Sequence, residues 1–96
     1  MVPGLALDAL GQVEAAAGNW ALADQHFNES MSIHRQADHH ASLARVQRHY
    51  ADSLLRQGNK SEAADVLRAA LATFNELDLP TEAAKTQQLL VTVTAS

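Results

Sequence analysis

Cysteine is missing altogether from this chain of 96 residues, so neither a disulfide nor a thiolate metal site supplements its core. Aromatic residues are scarce: Trp20, Phe27, Tyr50 and Phe74 are the full set. With nineteen alanines in the chain, the interior must be built from Ala, Leu and Val at close spacing, which favours helices over sheets. Basic residues are few, seven Lys and Arg against eleven Asp and Glu for a net charge of -4. Spread along the chain, they form no dense cationic stripe, which excludes nucleic acid as the expected partner. Long apolar runs are also lacking. No window reaches the ~20 apolar residues of a membrane span, and the opening MVPGLALDALGQ has no basic region ahead of an apolar run. The expectation is a cytoplasmic protein with no membrane partner. A chain of this size buries only about 60–65% of its unfolded surface, enough for one domain, 1–96.

What the chain has in quantity is internal repetition. A shift of 40 residues aligns Gly18-Asn19 with Gly58-Asn59, Ala23 with Ala63, Asp38 with Asp78, Ala44 with Ala84 and Gln47 with Gln87, without gaps. Leu10, Tyr50 and Leu90 fall in line, as do Phe27 with Leu67 and Met31 with Leu71. A period between 20 and 50 residues marks a solenoid of stacked units.

Within each period the apolar residues keep helical spacing. Leu7, Leu10, Val13 and Ala17 form one stripe; Leu22, Phe27, Ser30, Met31 and His34 form the next; Leu43, Val46, Tyr50 and Leu54 follow, then Ala63, Leu67, Ala70, Leu71, Phe74 and Leu77. The pattern predicts helices over 4–17, 20–36, 40–57, 60–77 and 81–93. Gly18 and Gly58 suit left-handed helix closures, and Asn19 and Asn59 suit the caps that follow. Asn59 with Glu62 reads as a capping box, Asp38 as the cap of the third helix, and Leu79-Pro80 as the break before the fifth. Val91-Thr92-Val93-Thr94 is β-branched and predicts a fraying last turn rather than a strand.

The segment Leu7-x-x-Leu10-Gly11, Gly18-Asn19, Ala23, Phe27, Ser30 resembles a tetratricopeptide repeat, and Tyr50-Ala51, Leu54, Gly58-Asn59, Ala63, Leu67, Ala70-Leu71 resembles a second. Gly11, Ala23, Ala51, Ala63 and Ala70 match the family's small positions, where paired helices approach closely. Glu14 stands where the family has an aromatic, Lys60 replaces the aromatic that Trp20 supplies, and the period is 40 rather than 34. The longer period, with Leu67 to Leu77 followed by Pro80 and Glu82-Ala83-Ala84, is similar to arrays in large bacterial signalling and transcriptional regulators. The resemblance implies an all-α helix–turn–helix solenoid: repeat one about 4–37, repeat two about 40–78, and a terminal capping or swapped helix.

It also implies a non-catalytic module that binds a peptide or partner domain on the face lined by the first helix of each pair. Leu5, Asp8, Gln12 and Ala16 are expected there from the first helix, Arg45, Arg48, Asp52 and Arg56 from the third, and Lys85, Gln88 and Thr92 from the fifth. Four of the seven basic residues share this face, a pattern suited to an acidic peptide or terminal carboxylate, although charged helix faces are commonly just solvated. Asp8 and Gln12 occupy places where carboxylate-gripping relatives carry Lys and Asn, so that particular clamp is not expected. A terminal helix without a following partner also predicts self-association through Ala83, Leu89, Leu90 and Val93, giving a homodimer by exchange or a cap on its own chain.

Histidines are the remaining chemical feature. His34, His39 and His40 surround one turn, with His26 and His49 further off, but no His-Glu-x-x-His spacing supports a metal site. No metal or other cofactor is expected. The chain also lacks a nucleophile elbow, a glycine-rich phosphate loop and a close carboxylate pair among apolar residues, so catalysis is not expected either. Asp24 and Asp65 suit the first turns of their helices. Trp20 is expected to lock two helices together rather than to anchor a partner.

Overall fold

The computed structural model describes residues 4–95, and within them five α-helices follow one another: α1 (Gly4–Ala16), α2 (Trp20–Gln36), α3 (His40–Arg56), α4 (Lys60–Glu76) and α5 (Pro80–Thr94). Their ends lie within one residue of those expected. Regularity at the turns explains the agreement. Each connection is three residues long, and its middle residue is left-handed: Gly18 (φ 79°), Asp38 (φ 56°), Gly58 (φ 86°) and Asp78 (φ 55°). After each, an amide reaches back five residues, Asn19 to the Glu14 carbonyl at 2.8 Å and His39 to His34, Asn59 to Leu54 and Leu79 to Phe74 at 2.9 Å. This bond, with the one from the left-handed residue itself, satisfies carbonyls that a helix end leaves free.

Three expectations about helix ends are corrected here. Asp38 closes α2 rather than capping α3, whose N-cap is His39; the short polar side chain lets aspartate stand where glycine does in the alternate turns. Asn19 and Asn59 occupy N-cap positions but neither side chain caps an amide. Glu62 does not complete a capping box: it accepts a hydrogen bond from the Tyr50 hydroxyl at 3.3 Å. At the other end Pro80 opens α5, where its missing N–H costs no helical bond. Thr92 and Thr94 hydroxyls donate to the Gln88 and Leu90 carbonyls at 3.0 and 2.9 Å, so α5 continues to Thr94.

Each helix packs on the one before it and the one after it; α1 also touches α3, and α3 touches α5. The result is a two-layer slab, 34 × 30 × 17 Å, with α1, α3 and α5 in one layer and α2 and α4 in the other. Its core is a row of clusters: Ala15, Ala23, Phe27, Met31 and Val46 join α1, α2 and α3, while Ala51, Leu54, Ala63, Ala64, Leu67 and Val93 join α3, α4 and α5. Ala44, Ala70, Phe74 and Ala83 close the opposite edge of the second unit. Trp20 packs part-buried against the first cluster, in the locking role expected of it.

The repeat shows how one close approach is tuned. A Cβ on Gly11 would lie 2.9 Å from ring carbons of Phe27, which is fully buried. The corresponding pair in the second unit is Ala51 with Leu67, also buried: where the large residue is smaller, the small one is larger. Gly11→Ala is therefore expected to cost about 1–2 kcal/mol, overpacking outweighing the helix-propensity gain. In Gly11→Ala/Phe27→Leu that overpacking is relieved, so a denaturant-melt double-mutant cycle should show a coupling of at least about 0.5 kcal/mol.

The expected inward stripes hold on α3 and, except for Leu77, which follows α4 and is 42% exposed, on α4, but need correction at the start of the chain. Leu10 and Val13 are 43% and 66% exposed and Leu22 is 48% exposed, whereas Asp8 and Glu14 are buried. Leu10 and Val13 lie on a side of α1 that no helix of the described residues covers, and α1 turns its two acids inward instead.

Candidate functional site: the first-helix face

Residues three, four and seven apart share one side of a helix, so Arg45, Arg48, Asp52 and Arg56 form a single stripe along α3. Helix α5 lies beside it and contributes Glu82 and Lys85. Glu82 gathers three of the four expected cations. Its Oε2 accepts a hydrogen bond from Arg48 at 2.7 Å and lies 3.7 Å from Arg45 Nε, while its Oε1 lies 3.7 Å from Lys85 Nζ. The hydrogen bond from Arg48 holds the Glu82 carboxyl below the usual carboxylate range, with the charges of Arg48, Lys85 and Arg45 adding to the effect against burial.

The cations are not equivalent. Arg48 is mostly enclosed, its guanidinium 5.7 Å from the centre of the Phe74 ring, so it is part of the structure of the face. Arg45, Lys85 and Arg56 keep about half of their side-chain surface in solvent, and Arg56 pairs with Asp52 at 3.0 Å one turn away. Exposed pairs of this kind bind weakly and exchange readily. Gln88 is exposed on α5. In the sequence Glu82 was read only as part of the segment after Pro80 and not as a member of this face, although its place one helical turn before Lys85 was the available signal.

Between α1 and α3 a cleft of about 150 Å³ opens, lined by Gln12, Ala15, Ala16, Phe27, His49, Asp52, Ser53 and Arg56. Its apolar lining comes from Ala15 and Ala16 together with the buried Phe27, and its polar margin includes Arg56. One wall is held by a part-buried pair that spacing alone did not disclose: His49 Nδ1 lies 2.9 and 3.0 Å from the two oxygens of Asp8. A second pair, His26 Nδ1 with Glu14 Oε1, ties α1 to α2. The only acids of α1 thus each pair with a histidine from a following helix, although Glu14 Oε2 is buried without a partner among the described residues, and the pairing of Asp8 corrects the expectation that it is presented on the open face.

The remaining histidines take separate positions. His34 is buried, its ring 5.8 Å from that of His39, and neither ring nitrogen finds a partner among the described residues. Burial, then the neighbouring His39, lowers its pKa, with Asp8 opposing. His40 is exposed. No group of three or more potential ligands converges among the described residues, and no helix there is long and apolar enough to cross a membrane.

The four residues expected to self-associate lie against the chain's own core. Ala83 and Val93 are buried, and Leu89 and Leu90 pack part-buried on the α3–α4 cluster. In this structure α5 is a cap, and its outward residues are Ala84, Gln87, Gln88 and Val91.

Antiparallel helix pairs, identical three-residue turns and one continuous first-helix layer define a helical-repeat solenoid. The sequence profile of the tetratricopeptide repeat family matches residues 4–76, and the chain belongs to that family. Repeats of this family are a non-catalytic fold that generally mediates protein–protein interaction. Among curated proteins and among solved structures there is no significant match.

Proposed function

We propose that the chain is a protein-interaction module that takes an acidic peptide segment along the α1–α3–α5 layer. The observation that carries this reading is that accessible cations share one layer, Arg56 on the margin of the cleft between α1 and α3, and Arg45 and Lys85 further along α3 and α5 around Glu82. On a protein of net charge -4, most other acids lie on the second helices and turns, so this face is where an acidic ligand meets least repulsion. A carboxylate displaces Asp52 from Arg56 at little cost, because that pair is exposed. An apolar residue of the same segment fills the cleft. On sequence resemblance alone, the reading extends to a module of a larger cytoplasmic bacterial regulator.

The test uses Arg45→Glu/Arg56→Glu, which leaves the enclosed Arg48–Glu82 bond intact, and an acidic peptide library read by fluorescence anisotropy. Peptides selected by the native protein are expected to lose at least about tenfold in affinity to the double variant, and to bind more weakly as salt rises. Equal affinity for both proteins would refute the assignment.

A further inference from the structure

We propose that His34 and His39 together hold one divalent transition-metal ion of the kind that imidazole favours, zinc being its representative, at the turn between α2 and α3. His34 stands in the last turn of α2, and His39 is the N-cap of α3. Their ring centres lie 5.8 Å apart. His34 is only 5% exposed, and neither of its ring nitrogens meets a partner among the described residues. A buried polar group without a partner carries a desolvation cost, and its retention calls for a cause, a bound ion being one.

The repeat shows that this cost is avoidable. A shift of 40 carries Gly4, Ser30, His34 and His39 onto Ala44, Ala70, Phe74 and Leu79. In the second unit these four close an apolar cluster, with Ala44, Ala70 and Phe74 buried and Leu79 packed against them. The first unit departs from that solution at all four positions, and both members of the large pair are imidazoles. Glycine makes the room: a Cβ on Gly4 would lie 2.8 Å from His34 Nε2. Ser30 Oγ donates to the Gly4 carbonyl at 2.6 Å, so its proton is committed to the backbone and not to the ring.

Geometry and charge both admit an ion. With about 2.0–2.1 Å from metal to nitrogen and about 1.1 Å from nitrogen to ring centre, two imidazoles on one ion have centres up to about 6.4 Å apart. The observed separation of 5.8 Å lies within that reach. A ligating ring must also be neutral. Burial, then His39, lowers the His34 pKa, with Asp8 opposing, so the ring keeps its lone pair near neutral pH. The Asp8 charge that favours a proton on this ring favours a metal cation for the same reason. His39 is exposed and gives the ion a route from solvent. No third ligand converges among the described residues, so the site is an open one whose remaining positions water completes.

Isothermal calorimetry of zinc chloride against the whole chain near neutral pH is expected to show one site. Zinc at about ten times the dissociation constant should raise the melting temperature by about 5–10 °C, whereas magnesium, which prefers oxygen ligands, should leave it unchanged. His34→Phe adopts the apolar plan of the second unit and is expected to fold at least as stably as the native chain, yet to bind zinc about 10–100-fold more weakly or worse. Lost binding in that variant is therefore not lost folding. His39→Ala should weaken zinc to a similar degree, and His40→Ala, next to the pair but outside it, should keep both the affinity and the thermal shift. A native chain that binds no zinc overturns the proposal. So does equal affinity in His34→Phe, or loss of binding in His40→Ala, because either result would mean chelation by exposed imidazoles alone.

Discussion

Phe27→Ala is expected to lower the unfolding free energy by about 3–5 kcal/mol, the largest effect of any single substitution considered for this protein. Phe27 has no solvent exposure and meets three helices: Gly11 from α1, its own cluster partners on α2, and Val46 and Tyr50 from α3. Few other aromatics share the load, so truncation leaves a cavity that alanines cannot fill. Since a domain of this size has roughly 5–15 kcal/mol of stability, the variant should melt far below the native protein in a urea titration followed by circular dichroism. Truncation at Val13, 66% exposed, should change the unfolding free energy by less than about 0.5 kcal/mol. Similar losses at both positions would contradict this description of the core.

The second large effect has the opposite sign. The 40-residue shift places His34 where the second unit has Phe74, and Gly4 where it has Ala44. Phe74 is fully buried beside Ala44, so the site in the first unit, with glycine in place of alanine, has room for phenylalanine. His34 buries two ring nitrogens that meet no partner among the described residues, a desolvation penalty that His34→Phe removes. The substitution is expected to stabilise by about 1–3 kcal/mol.

It should also change the pH profile. Burial lowers the His34 pKa in the folded protein, with His39 acting in the same direction and Asp8 opposing. The unfolded chain then binds the proton more readily. The stability contribution is therefore complete above about pH 6.5, the unfolded value, and declines as pH falls from there toward the lowered folded value. Urea midpoints measured from pH 7.5 to 5 should show His34→Phe losing less stability on acidification than the native chain. A parallel decline in both proteins would assign the acid sensitivity elsewhere.

Much of this architecture was legible before any coordinate. Helix ends were legible because they are set locally, by residues such as Gly18 and Gly58 that tolerate a left-handed backbone, and because those residues recur at a fixed interval. Pairing of small with large positions was legible for the same reason. Asp38 was misread because its left-handed backbone and a capping side chain are both common uses of aspartate, and only the turn geometry separates them. The first-helix face was recognised as cationic, but Glu82, which organises Arg45, Arg48 and Lys85, was not, because the bond to Arg48 crosses from one helix to another.

The division between sequence and tertiary structure follows from the range of the forces. Helical spacing, turn residues and the 40-residue period determined that the chain forms five helices in a repeating stack, since each signal acts within one helix or one turn. Which acids are buried, which arginine is enclosed and which leucines face solvent depended on neighbours brought close only by packing. Asp8 and Glu14 are held inside by His49 and His26, and Arg48 lies against Phe74 and Glu82. Leu10 and Val13 match Tyr50 and Ser53 in the repeat, and differ from them in that no helix of the described residues covers them.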